Sequence, residues 1–205
     1  MLNRRFGFPR EAAEIVWLDD LGLASPGRNS YSPSSWGALK CILPASEVRP
    51  EDVFLDVGCG MGRVVFEAAR YPFRRVVGVD IAPRLVEAAR AVIEKNGEKL
   101  RCRDVELAVA DAATYRVPDD VTVAYIANPV EGELFEALLT RLMESVDRNP
   151  RRLRLIYVDP RETARLEADR RIAPVRNWRR GLRRWEPADY MRMYEILPAD
   201  ALSGS

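Results

Sequence analysis

The residues best suited to hold a ligand lie in Val53-Phe54-Leu55-Asp56-Val57-Gly58-Cys59-Gly60-Met61-Gly62-Arg63, where apolar residues and an acid run into three glycines at alternate positions. Val64, Val65, Ala68 and Ala69 then fall on one helical side, with Arg63, Glu67 and Arg70 on the other. The pattern predicts a buried strand, a tight turn and a helix. Glycine suits a turn that needs positive φ or a close approach of ligand to backbone. The helix start offers unpaired N–H groups to an anionic group, and an acid such as Asp56 can receive an ammonium. Arg74-Arg75-Val76-Val77-Gly78-Val79-Asp80 reads as a second buried strand ending in an acid, 22 residues after Gly58. A carboxylate about 20 residues beyond a glycine turn can accept both hydroxyls of a ribose. The dinucleotide fingerprint G-x-G-x-x-G does not apply, because its third glycine would fall at Arg63.

The spacing Asp56-x-Gly58-x-Gly60-x-Gly62 resembles the first motif of the class I S-adenosylmethionine (SAM) methyltransferases. That resemblance implies a Rossmann-like fold with a mostly parallel sheet of seven strands, the last antiparallel. It also implies SAM as cofactor and S-adenosylhomocysteine (SAH) as its product. It implies cofactor contacts from Tyr31, Asp56, Gly58, Cys59, Gly60, Gly62, Asp80, Ile81, Asp111, Ala112 and Asn128, with Asp111-Ala112 near the adenine amino group. Asn128-Pro129-Val130-Glu131 falls beside the transferable methyl, where amino-group methyltransferases acting on nucleic-acid bases commonly carry [DN]-P-P-[YF]. The second proline and the aromatic are missing here, which removes a stacking surface for a flipped base; base methylation is discounted. Tyr31-Ser32-Pro33-Ser34-Ser35 is similar to a Tyr-x-Pro-Ser/Ala-Ser/Thr element of small bacterial members. It is also similar to that of the mitochondrial lysine methyltransferases that modify an ATP synthase subunit. Catalytic candidates are then Asn128, which would position the acceptor, with Tyr31 and Glu131.

The elements that must position these residues follow in order. Residues 1–30 read as an N-terminal extension that could act as a lid, with a short helix over Pro9–Leu18. Ser34 is a candidate N-cap for a helix through Leu43. Pro83–Lys95 and Glu133–Val146 carry helical periodicity. Val105–Ala110, Val121–Ala127, Leu153–Val158 and Met191–Leu197 read as further strands, and Glu162–Arg170 as a short helix. Alternating strands and helices predict a mostly parallel α/β sheet with helices on both faces. Asp56, Asp80, Asp111, Asn128 and Asp159 each stand at or just past a strand end, where ligands bind in such sheets. The methyltransferase domain is expected over 31–197, with an Arg-rich insertion at 160–188 and a loose tail at 198–205.

Composition bounds the chemistry. The 205 residues contain no histidine and three widely spaced cysteines, so a His base, a His metal ligand and a zinc site are not expected. Arg151 to Arg184 holds twelve arginines against four acids, with Trp178 and Trp185 nearby. Such a segment can bind an anionic group, a phosphate or a nucleic acid. No apolar run is long enough to span a bilayer, which needs about 18 residues, and Met1 to Asp20 lacks the apolar core of a signal peptide. The expected location is cytoplasmic. A methyl acceptor with a neutral amine needs no strong base, so the missing histidine favours methyl transfer to an amine on a protein side chain or a small molecule. Two alternatives stand beside it: O- or carboxylate methylation of an acidic metabolite held by the arginine segment, and a non-catalytic SAM- or RNA-binding module.

Overall fold

The computed structural model describes residues 2–179 and 190–202. The strands are β1 Val53–Val57, β2 Arg75–Asp80, β3 Val105–Val109, β4 Val123–Ile126, β5 Leu153–Val158, β6 Ile172–Arg179 and β7 Tyr190–Ile196. The helices are α1 Leu2–Phe6, α2 Ala38–Ile42, α3 Arg63–Ala69, α4 Pro83–Lys95, α5 Glu133–Arg148 and α6 Thr163–Ala168. The sheet runs β3-β2-β1-β4-β5-β7-β6. β1 pairs parallel with both β2 and β4, and β7 lies antiparallel between β5 and β6. Strand order therefore reverses between β1 and β4, and a crevice opens beyond their carboxyl ends.

All five residues of β1 are buried, as expected of a central parallel strand covered on both faces. Alternation sends Phe54, Val76, Tyr125 and Ile156 to one face, under α3 and α4, and Leu55, Val77, Ala124 and Leu155 to the other, under α5. No helix among the described residues is long and apolar enough to cross a membrane.

Four expectations are corrected. The first part of the extension is core: Phe6 and Phe8 are buried and pack on Phe66 and Trp36, with the Phe6 and Phe66 ring centroids 4.9 Å apart. Over Pro9–Leu18 only a 3-10 turn forms, at Arg10–Ala13, because Val16 exchanges backbone hydrogen bonds with Tyr31 instead of continuing a helix. Ser34 caps nothing; Gly37, at φ 78°, starts α2 and donates its N–H to Glu67 Oε1 at 2.6 Å. The described part of 160–188 is no insertion, since it supplies α6 and the edge strand β6. That strand escapes sequence reading because it is exposed almost throughout and interrupted by Pro174 and a bulge, both features of sheet edges.

With Phe6 in the core, Phe6→Ala should lower stability by about 3 kcal/mol. In a chain of this size that is a fall in Tm of roughly 6–12 °C. Calorimetric melting checks it, and a fall under about 2 °C would mean the segment is only loosely attached.

Candidate active site

The glycine turn leaves β1 with Gly58, Gly60 and Gly62 all at positive φ (78°, 52° and 76°). Gly58 and Cys59 donate to the Val79 carbonyl at 2.8 and 2.9 Å. Asp80, at the end of β2, accepts from Gly60 N at 2.8 Å and from Ala82 N at 2.9 Å. Two of the glycines let other parts of the site close on the turn. A Cβ on Gly58 would come within 2.6 Å of Pro129 Cβ, and one on Gly60 would overlap the Tyr31 ring. Gly62 serves the fold instead. It starts α3, and a Cβ there would meet Ala89 Cβ of α4 at 2.7 Å.

A cavity lies over this turn in two lobes that share Gly58, Asp80 and Pro129. Tyr31, Asp56, Cys59, Asn128 and the Ser32-Pro33-Ser34 run line the first lobe. Arg28, Ile81, Asp111, Ala112 and Val130 line the second. The structure thus brings together most of the residues read from the sequence, and Gly60 lies directly beneath the Tyr31 ring. Gly62, packed against Ala89, and Glu131 are the exceptions. Glu131 lines neither lobe, and its carboxylate is engaged by Asn29 Nδ2 at 2.9 Å and by Arg161. Those two donors hold its carboxyl below the usual range. Asp111 lines the second lobe with its carboxylate ion-paired to Arg28 and accepting from Ala113 N at 3.0 Å.

Burial dominates the electrostatics. It pushes the Asp56 carboxyl well up, and the neighbouring Asp80 pushes it further. Asp80 is also raised by burial, against the lowering effect of the Ala82 and Gly60 N–H donors. The buried Cys59 thiol is pushed up by burial and then by both acids, so it is a thiol and not a thiolate. Tyr31 is raised to about 12, mainly by burial, and stays protonated throughout the physiological range.

Asn128, two residues past β4, sits at φ 50°, and Asp159, one residue past β5, at φ 43°. The Asn128 amide donates to the carbonyls of Val158 at 3.2 Å and Asp159 at 2.7 Å. Its Oδ1 is buried and has no hydrogen-bond partner among the described residues. Those two carbonyls fix the amide orientation, since the reverse rotamer would set oxygen against oxygen.

Sequence reasoning missed Arg28 and Asn29. They lie in a loop without periodicity and reach the site only because Asn29 N donates to Pro129 O and Glu131 N donates to Gly27 O. The arginine segment is tied into the fold over its described part: Arg154 pairs with Asp52, Arg161 with Glu131, Arg171 with Asp147 and Arg176 with Glu47. Arg180, Arg183, Arg184 and Trp185 lie outside the described residues. Among the described residues there is no cluster of three or more metal-ligating side chains.

The donor set fits SAM: a buried acid for its ammonium, an acid with lone pairs to spare for its ribose, and a turn stripped of side chains over which it can pass. The sheet order, with β7 inserted antiparallel between β5 and β6, decides the architecture. The fold is that of the Rossmann-like class I methyltransferases. Residues 54–149 match the family described as methyltransferase domain. An RNA methyltransferase from Salinibacter ruber, solved with SAH, superposes with a TM-score of 0.60 at 24% identity, covering 82% of this chain and 95% of that one. A SAM-dependent methyltransferase from Aquifex aeolicus gives 0.57 at 18% identity, covering 80% and 94%. At these identities the superpositions speak for the fold alone. A protein-lysine N-methyltransferase from Saccharolobus islandicus is 35% identical over 68 residues, 33% of this chain and 42% of that protein. A ribosomal protein L11 methyltransferase from Dechloromonas aromatica is 46% identical over 78 residues, 37% of this chain and 24% of that protein. This chain spans less than half the length of these curated relatives.

The Asp56 environment predicts a pH signature. An acid raised in the native state binds more protons there than in the unfolded chain. Stability of the ligand-free protein should therefore fall as pH rises from the ordinary carboxylate range through the elevated native value. Asp56→Asn should flatten that fall and raise Tm at pH 8 by roughly 2 °C or more, while weakening SAH binding at least about tenfold, a loss of ~1.4 kcal/mol. Melting curves and titration calorimetry across pH check both; an unchanged SAH affinity would remove Asp56 from the ligand site.

Proposed function

We propose that the chain is a SAM-dependent methyltransferase whose acceptor is an amine. The observation that carries the amine reading is the buried, unpartnered Asn128 Oδ1, held in place by its own amide donors. A buried acceptor without a donor costs free energy until a ligand supplies one, and an amine N–H is such a donor. Bound SAM would supply an electrophilic methyl on a sulfonium. The chain's task is then to align the acceptor lone pair and exclude water.

The remaining polar groups support this reading. An alcohol or phenol acceptor would call for a general base. Tyr31, raised to about 12, holds its proton. Glu131 is engaged by Asn29 and Arg161 and held low, which makes it a weak base. Tyr31 acts instead by shape, its ring lying on Gly60, where it covers the turn against solvent. Asp56 would pair with the ligand ammonium and Asp80 with the ribose, while Asp80 keeps its two backbone donors.

The first test is transfer of labelled methyl from SAM into whole-cell acceptors, followed by mild alkali. Retained label is expected of an N-methyl group; complete release would signify a carboxylate ester and sink the amine reading. Asn128→Gly is the second. Glycine accepts the φ of 50° without strain but lacks the amide. SAH affinity should stay within about twofold, and kcat should fall roughly 10- to 100-fold, as for loss of one buried hydrogen-bond acceptor.

A further inference from the structure

Two exposed apolar side chains beside the site have no part in holding the cofactor. Ile15 and Trp17 are 53% and 56% exposed. Val16 between them is pinned to Tyr31, donating at 3.1 Å and accepting at 3.0 Å. Neighbouring side chains of an extended segment alternate in direction, so fixing Val16 inward turns Ile15 and Trp17 out together. Both line a groove of about 550 Å³ that also includes Asp159. The groove adjoins the cofactor cavity, since Asn29, Ser32 and Asn128 line both. Two apolar side chains exposed together in one groove at the mouth of a site offer a partner surface to bury.

Charge selects the partner. Residues 11–20, Glu-Ala-Ala-Glu-Ile-Val-Trp-Leu-Asp-Asp, carry four acids and no lysine or arginine. Glu11 faces Arg84 at 3.8 Å, while Glu14, Asp19 and Asp20 are exposed. Asp159 is exposed across the groove. Arg161, the basic residue among those lining the groove, is paired with Glu131. A phosphate backbone would meet repulsion from these acids, whereas lysine or arginine side chains would be drawn to them and could stack on Trp17.

We propose that the Ile15–Trp17 shelf, faced by Asp159 and flanked in the chain by the exposed Glu14, Asp19 and Asp20, docks a basic polypeptide segment that carries the acceptor amine. The inference rests on the amine reading of Asn128. Aliphatic stems of the segment lie on Ile15 and Trp17, a cation faces Asp159, and the acceptor amine enters beside Asn128.

The test is fluorescence anisotropy on the full chain saturated with SAH. The probes are a labelled Lys/Leu peptide, its Glu/Leu counterpart and a transfer RNA. The Lys/Leu peptide should bind and the Glu/Leu peptide should not. Trp17→Ala should weaken the Lys/Leu peptide about tenfold, the effect of losing one aromatic anchor, and leave SAH affinity unchanged. Peptide affinity indifferent to Trp17→Ala, or transfer RNA binding that Trp17→Ala weakens, overturns the proposal. Peptide binding without methyl transfer would keep the docking surface and sink the amine reading; methylation of a small amine without peptide binding would do the reverse.

Discussion

The site depends on one clasp, the Asp80 carboxylate accepting from Gly60 N at 2.8 Å. It closes a turn whose glycines are all left-handed, a conformation that side-chain-bearing residues adopt only at a cost. Because the turn is bare, distant parts of the chain can come against it. Tyr31 lies on Gly60 from one side, and Pro129 abuts Gly58 from the other. The N-terminal segment, the end of β1 and the loop after β4 thus converge on a few backbone atoms. A side chain at Gly58 or Gly60 would push Pro129 or Tyr31 away and open the cavity that these residues enclose.

Burying two acids beside this turn is unfavourable in the absence of a cation. Backbone donors relieve Asp80, but Asp56 remains raised by burial and by its neighbour. Stability must come from elsewhere, and the aromatic cluster of Phe6, Phe8, Trp36 and Phe66 is one source. Arg63 joins that cluster to the site. It donates to the carbonyls of Ser34 and Ala12 and to Asn3 Oδ1, and its guanidinium lies 5.2 Å from the Trp36 ring centroid. The residue that follows the glycine turn therefore also fastens the segment that covers it.

Local pattern explains what could be read from the sequence. The buried strands β1 and β2, the helix Pro83–Lys95 and the strand Leu153–Val158 are apolar runs or periodic faces that agree with their surroundings. The acids that line the cavity, Asp56, Asp80 and Asp111, were legible because each stands at or just past a strand end. Arg28, Asn29 and the edge strand β6 were not, for two different physical reasons. The loop residues owe their position to backbone hydrogen bonds with Pro129 and Glu131, partners about 100 positions away. β6 buries little, so it carries no hydrophobic alternation to read. Ser34 is no cap because Gly37 offers the left-handed start and Glu67, a residue from α3, satisfies its N–H.

The strained pair at the ends of β4 and β5 gives a reason for asparagine at position 128. Asparagine and aspartate tolerate left-handed backbone better than most residues, and both strained positions use one of them. Each is held from outside: Asn29 Nδ2 donates to Asn128 O at 2.8 Å, and the Tyr190 backbone both donates to Asp159 Oδ1 at 3.0 Å and accepts from Asp159 N at 2.6 Å. Strain persists where neighbours over-determine it. Glycine at 128 would relieve the backbone but bring no amide. Aspartate would set an anion against the Val158 and Asp159 carbonyls, which now accept from the amide nitrogen. Asparagine satisfies both carbonyls and still leaves one oxygen without a partner, aimed by contacts that need no rearrangement when a donor arrives.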